Sequence, residues 1–404
     1  MDYKTAQEEL RESLRNEELT AEGLPSGVER EEEEEPFPFD ADKISITDKR
    51  VPLETLLRRL RKETISSPLI QRGKNLWGDG QQSRLIESLM LRIPLPLFYV
   101  AADEEECWKV VDGLQRITAI RRFILDKAFT LSGLEFLKAH EGEDFDSLPP
   151  LYQNRILETE LQFAVIGPST PEKVQRNIFK RLNTGGLPLT AQEIRHALYY
   201  GPAAELLQEL VELEEFKAAT AGSVNDSRMA GRELILRYLA AFIFGPEQYP
   251  LNGDMDSFLC NAMKVINEPE RRAWGAREET PPVPRLTDRE KLRASFRRAM
   301  TRAERLFGRH AFRKSLPGYS DWRTPINKAL FEVWACRLSL LPEEAFQRLL
   351  TRREDLFAAL YHGVYKEDDG RFLNAISKYS HDPSSVRYRH KAVAACIQTV
   401  VEKE

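Results

Sequence analysis

The run Val110-Val111-Asp112-Gly113-Leu114-Gln115-Arg116 constrains the fold more than any other stretch of the chain. A β-branched strand ends there, and a helical segment with Leu114, Ile117, Ile120 and Ile124 on one face begins at once. One residue is left to turn the backbone, and it is glycine, which enters left-handed conformations without steric cost. A helix that starts this abruptly presents its first N–H groups and the positive end of its dipole, an arrangement that favours an anion. Two readings stay open. Asp-Gly opens many ordinary turns. Alternatively, Gly113 lets backbone approach a phosphate, Arg116 reaches back with its planar fork, and Asp112 caps the helix or binds a Mg²⁺ that bridges phosphates.

Around this elbow the first half of the chain reads as mixed α and β. Val51 to Glu63 has helical spacing through Leu53, Leu56, Leu57 and Leu60, and Ser83 to Arg92 is an amphipathic helix stopped by Ile93-Pro94-Leu95-Pro96. Leu97 to Ala101 and Trp108 to Val111 flank the acidic turn Asp103 to Glu106 as a hairpin or neighbouring strands, and Leu161 to Ile166 is another strand. From Thr190 onward the pattern is almost wholly helical. Thr190-Ala191-Gln192-Glu193 and Thr287-Asp288-Arg289-Glu290 are capping-box signatures, Met229 to Phe244 and Ile326 to Leu340 carry apolar stripes, and Pro281 to Pro284 is a linker. The expected fold class is α+β, with a tail over 1–40, a mixed domain over 41–200 and an α-helical domain over 201–404.

Charge is distributed unevenly. Residues 1–40 hold 4 basic and 14 acidic side chains, including the run Glu31 to Glu35 before Pro36, so this part reads as a solvated, disordered arm. A second reading makes it an acidic mimic covering a basic nucleic-acid groove. Residues 271–320 hold 14 basic and 5 acidic side chains, and Arg293, Arg297, Arg298, Arg302 and Arg305 lie mainly off the apolar stripe of one helix. Such a stripe either neutralises DNA phosphates or is a salt-bridged face. No run of about 18 apolar residues and no apolar leader is present, so neither a membrane span nor a secretory signal is expected. Four dispersed cysteines fit a reducing cytoplasm.

Two further segments carry polar groups in suggestive places. Ile178-Phe179-Lys180-Arg181-Leu182-Asn183-Thr184-Gly185-Gly186 sets basic residues before a glycine turn and a helix start, which is either an anion cradle or a C-cap and connector. Pro68-Leu69-Ile70-Gln71-Arg72, followed by Trp77, offers a Gln-Arg pair on extended chain.

Taken in order, Gln71-Arg72, Ser83 to Ser88, Ile93 to Pro96, Val111 to Arg116, Phe179 to Gly186 and Gln192-Glu193-Ile194-Arg195 resemble the N-terminal domain of GmrSD-type, modification-dependent restriction enzymes. The resemblance runs from about Asp40 onward and includes Arg228 to Leu234 and Phe307 to Lys314. It implies a ParB/sulfiredoxin-like domain followed by helices, and binding, often with hydrolysis, of a nucleoside triphosphate that controls DNA restriction in bacterial defence against phage. Asp112, Gly113, Gln115 and Arg116 match the family's Asp-Gly-Gln-Gln-Arg signature, while Leu114 stands where a Gln is usual and loses a polar contact. By this resemblance Asp112, Gln115 and Arg116 are the catalytic candidates, Asp112 the Mg²⁺ ligand, and Gln71, Arg72, Gly113, Arg181 and Asn183 the nucleotide-binding residues. ATP, GTP, CTP and UTP are not distinguished.

The resemblance also implies a partner nuclease or ATPase; the charge of segment 285–314 makes it the candidate DNA contact, and an oligomer is left open. The nuclease domain of larger members, with its His-Asn-His metal site, is not evident here, and all six histidines read as structural or surface residues. Direct cleavage of DNA at Asp112, or an adaptor with a degenerate pocket, are the competing readings. Arg116→Ala is expected to lose nucleotide binding with little loss of stability.

Overall fold

The computed structural model describes residues 17–19, 25–31, 44–66, 77–182, 189–250, 254–269, 286–366 and 370–402. They divide between two compact units. One comprises residues 36–189 and 196–200, the other residues 1–35, 190–195 and 201–404.

The first unit is built on a five-stranded mixed sheet. Its strands are β3 (Ile46–Pro52), β4 (Ile65–Ser66), β5 (Phe98–Ala102), β6 (Trp108–Asp112) and β7 (Glu160–Ile166), in the order β3-β7-β5-β6-β4. β3 pairs antiparallel with β7 from Ile46↔Ile166 to Pro52↔Glu160, β5 runs parallel to β7 and antiparallel to β6, and β4 runs parallel to β6. The expected hairpin is present. Its turn is held by Asp103, whose Oδ1 accepts from the N–H groups of Glu105 and Cys107 at 3.0 and 2.8 Å, an Asx-type turn that suits this residue.

Four helices cover the sheet core: α1 (Leu53–Arg61), α2 (Asp79–Met90), α3 (Leu114–Ile124) and α4 (Pro150–Leu157). Leu53, Leu56, Leu57 and Leu60 of α1 are buried, as their spacing predicts. The helix starts two residues later than expected because Val51 and Pro52 complete β3, and Pro52, lacking an N–H, ends it. Phe98, Trp108 and Phe163 form the aromatic centre, with ring centroids 5.0 Å apart for Phe98–Phe163 and 5.2 Å for Trp108–Phe163.

The second unit is helical apart from two short strands, β1 (Glu17–Leu19) and β2 (Pro25–Glu29), paired antiparallel. The two units divide within the helix α6 (Ala191–Leu198), and its Thr190 capping box forms as expected: Thr190 Oγ1 accepts from Glu193 N at 3.1 Å and Glu193 Oε2 accepts from Thr190 N at 2.7 Å. At the second signature the cap shifts by one residue. Asp288, not Thr287, accepts from Lys291 N at 2.9 Å and opens the helix Arg289–Phe307. The helices Ala230–Phe244 and Lys328–Leu340 are apolar almost all round and buried accordingly. The proline stretch 281–284 lies outside the described residues.

The reading of 1–40 as a solvated arm is corrected for its described part. Val28 is fully buried, and Glu31 joins an ion-paired cluster with Arg237. The acidic residues there meet fixed cations, so they do not repel one another into solution. Among the described residues no helix is long and apolar enough to cross a membrane.

Candidate functional site

The elbow forms as the sequence demands. β6 ends at Asp112, Gly113 adopts φ 93° and ψ 10°, and α3 begins at Leu114. Glycine is required twice over. The backbone is left-handed, and a Cβ at this position would lie 2.4 Å from Cδ1 of Phe98, well inside contact distance. Gly113, the N-cap residue of α3, has no side chain to cap the helix, and the first turn carries no acidic residue. The pairing of β5 with β6 shifts register between Tyr99 and Val100, a bulge-type irregularity beside the elbow.

Arg116 points inward and is engaged by the protein. Its Nη1 donates to the carbonyl of Pro96, and its Nη2 to the carbonyl of Leu97 and to Asp112 Oδ2, both at 3.2 Å. The guanidinium lies over the Phe98 ring at 4.2 Å, and the side chain is 11% exposed. Burial lowers its pKa from the usual guanidinium value, with Asp112 opposing. Arg116 therefore clamps the segment leading into β5 onto the elbow. The expectation that it can be removed with little loss of stability is corrected by this geometry.

The same pairing bears on the metal. The Asp112 carboxylate, 39% exposed, is already neutralised by Arg116, and a cation beside one of its oxygens disfavours a second. Among the described residues no group of three or more His, Cys, Asp or Glu side chains could hold a metal ion. Asp112 does not fit the role of a Mg²⁺ ligand in this arrangement.

Gln115 lies in the first turn of α3, beside the elbow. Gln71, Arg72 and Asn183 lie outside the described residues, and Arg181 sits in the helix Glu172–Leu182 with its side chain outside them. The structure thus brings Asp112, Gly113, Gln115 and Arg116 together at the elbow.

Two polar networks near this face were not legible in the sequence. Gln82 is fully buried on α2. Its Nε2 donates to the carbonyl of Trp77 at 2.9 Å, and its Oε1 accepts from Arg122 Nη1 of α3 at 2.9 Å, fastening the two helices. Glu87, 3% exposed, accepts from the N–H groups of Glu135, Phe136 and Leu137 at 3.0, 2.7 and 2.7 Å. Burial alone would raise its pKa, but these bonds, that from Leu137 first, hold the carboxyl below its ordinary value.

The expected DNA-facing stripe is largely spent within the helical unit. Arg293 pairs with Glu209 and Glu290, and Arg297 with Glu215. Arg298 donates to Ser339 O at 2.9 Å. Arg302, buried, donates to the carbonyls of Leu338 and Leu341 and pairs with Glu343. Arg305 lies over Phe346. The described part of segment 285–314 is a salt-bridged face, and its arginines cap a helix end and neutralise neighbours.

The histidines have protein partners. His140 bonds Glu143, His310 bonds Ser315, His381 bonds Glu31, and His390 bonds Glu332. His196 and His362 pack against tyrosines.

Neither the curated proteins nor the solved structures yield a match. Residues 53–200 match the family model described as GmrSD restriction endonuclease, N-terminal domain. The matched range includes the elbow and all eight candidate residues, and excludes Arg228 to Leu234 and Phe307 to Lys314. Over residues 53–200, therefore, the chain is similar to the N-terminal domain of GmrSD restriction endonucleases, and its architecture is α+β.

Proposed function

We propose that the protein is a nucleotide-responsive component of a DNA restriction system, and that it receives the phosphates of a nucleoside triphosphate at the start of α3. The observation that carries this reading is the uncapped helix beginning at left-handed Gly113, with no acidic residue in its first turn. Backbone N–H groups of Leu114, Gln115 and Arg116 offer a fixed, dipole-assisted anion seat. Arg116 is a positioning residue: it holds the Pro96–Phe98 segment against the elbow and keeps the seat in shape. Gln115 is placed to contact the bound phosphates. The family description supports a link to restriction, and a partner nuclease supplies the cutting activity in this reading.

The test is a thermal-shift screen with ATP, GTP, CTP and UTP on the intact chain and on Gln115→Glu. An added carboxylate in the first turn complements the helix dipole, worth about 0.3–1 kcal/mol of stability, but repels phosphate. Stabilisation by at least one triphosphate, lost in Gln115→Glu while the variant itself melts no lower, is the expected result. No shift with any triphosphate would sink the proposal and leave the adaptor reading, which the commitment of Arg116 to protein carbonyls favours.

A further inference from the structure

The N-terminal segment 25–31 sits in the helical unit in the manner of a bound peptide. Its backbone is read at three points: Glu29 N donates to Ile326 O at 2.8 Å, Ile326 N donates to Gly27 O at 2.9 Å, and Asn225 N donates to Ser26 O at 2.9 Å. Gly27, at φ 79°, passes so close to the chain that a Cβ there would lie 1.9 Å from the carbonyl oxygen of Ser223. Val28 is the one buried apolar side chain of this segment.

The charges are sorted between the two sides. Glu29 accepts from Lys314 and, at 3.1 Å, from Asn327 Nδ2. Glu31 pairs with Arg237 and bonds Ser380 Oγ at 2.9 Å and His381 Nε2 at 3.1 Å. Farther up the chain, Glu18 pairs with Lys328. The cations all belong to the helical body, more than 200 residues away in sequence. On the body's own side, Glu233 is the carboxylate that meets Arg237 and Lys328. With segment 25–31 removed, the groove would keep backbone groups for a strand, a slot for one apolar residue and a surplus of positive charge.

We propose that this groove is a recognition site for an acidic peptide strand of a partner protein. Segment 25–31 fills it in cis, and the partner strand, carrying the pattern glycine, small apolar, acidic, any residue, acidic, displaces it. The edge contacts at Ile326 supply affinity by strand addition, and the pocket for Val28 with the cations at Lys314 and Arg237 supplies specificity. Displacement is an exchange in which the partner strand's carboxylates take the places of Glu29 and Glu31 opposite the same cations, so no buried cation is left unpaired. Within segment 25–31 the buried apolar anchor is a single valine, and the pairing of β2 with β1 is released or carried along with it.

The probe is a labelled synthetic peptide with the sequence of residues 24–35, added to three full-length proteins: the unaltered chain, Glu29→Arg/Glu31→Arg, and that double variant with Lys314→Glu. The double variant weakens the cis segment, so it should bind the peptide at least tenfold more tightly than the unaltered chain. The gain should fall with added salt, shrink in the Lys314→Glu protein and vanish for a peptide whose glutamates are replaced by lysine. Equal affinity for acidic and lysine peptides, or no binding to the double variant, overturns the proposal. So does loss of cooperative melting in that variant, which would make the segment an integral core strand. A dimer of the unaltered chain that dissociates in the double variant also overturns it, in favour of strand exchange between copies.

Discussion

Gly113→Ala isolates the physics of the elbow. Two separate penalties are expected. An L-residue held at φ 93° incurs the cost of the left-handed region, about 1–2 kcal/mol. The new methyl also meets the Phe98 ring at 2.4 and 2.9 Å and the Arg116 guanidinium at 3.1 Å. Phe98 cannot retreat easily, being fully buried and stacked on Phe163 at 5.0 Å. Overpacking of this kind costs about 1–3 kcal/mol, so the total is about 2–5 kcal/mol. Because the chain has two compact units, the measurement should be local: hydrogen exchange at the amides of Ile117 to Ile124. A Phe98→Leu background separates the penalties. There the ring clash is relieved and the backbone strain persists, so Gly113→Ala should cost about 1–3 kcal/mol less than it does in the parent. A cost below about 0.5 kcal/mol in the parent, or one unchanged by Phe98→Leu, refutes the close-approach argument.

Three further outcomes follow from the contacts. Arg116→Ala should destabilise the sheet unit by about 2–4 kcal/mol in urea unfolding, through lost charge-assisted bonds to two carbonyls and the lost stacking on Phe98, and Arg116→Lys should recover less than half, because a lysine cannot present a planar fork. Glu87→Gln should cost about 1–3 kcal/mol near neutral pH. The Glu87 carboxyl is held below its ordinary value of 4.5 in the folded protein, so its contribution is present above that pH and is lost as pH falls through the folded value; the gap between parent and variant should close on acidification, and a gap constant from pH 7 to pH 3 would contradict the capping role. Arg389→Ala should be among the costliest single changes in the helical unit, about 3–5 kcal/mol. It leaves Glu332, 2% exposed and held at about 2 by Arg389 and His390 against the effect of burial, short of its guanidinium partner; Arg389→Ala/Glu332→Gln should be more stable than Arg389→Ala in calorimetry.

The legibility of the chain followed the range of the forces involved. Where one face of an element meets the core, the periodicity of apolar residues reported it, as with Leu53, Leu56, Leu57 and Leu60 of α1 or the strand Glu160–Ile166. Local chemistry was legible for the same reason: the Thr190 capping box closes within four residues, and Gly113 was required wherever a strand passes directly into a helix. The partner of a charged side chain was not legible. Arg116 read as a guard for an anion because it stands in the first turn of a helix that begins at a glycine elbow, whereas its carbonyl acceptors belong to Pro96 and Leu97. The Arg293–Arg305 stripe left a DNA surface and a salt-bridged face both open, because the acidic partners that decide for the second, Glu209, Glu215 and Glu343, lie outside its helix.

The amino-acid order alone thus settles which stretches form the main helices, which faces are apolar, and that one glycine must turn the chain at position 113, because these depend on neighbours within a few residues; where an element begins shifts by a residue or two with its tertiary pairing, as at Val51 and Pro52. Only the folded chain decides which charge meets which. An ion pair forms wherever the backbone path brings two groups together, and for Glu31 and Arg237, 206 residues apart, no local pattern can announce the meeting. An arm that composition assigns to solvent becomes, through that meeting, a strand seated in the helical unit.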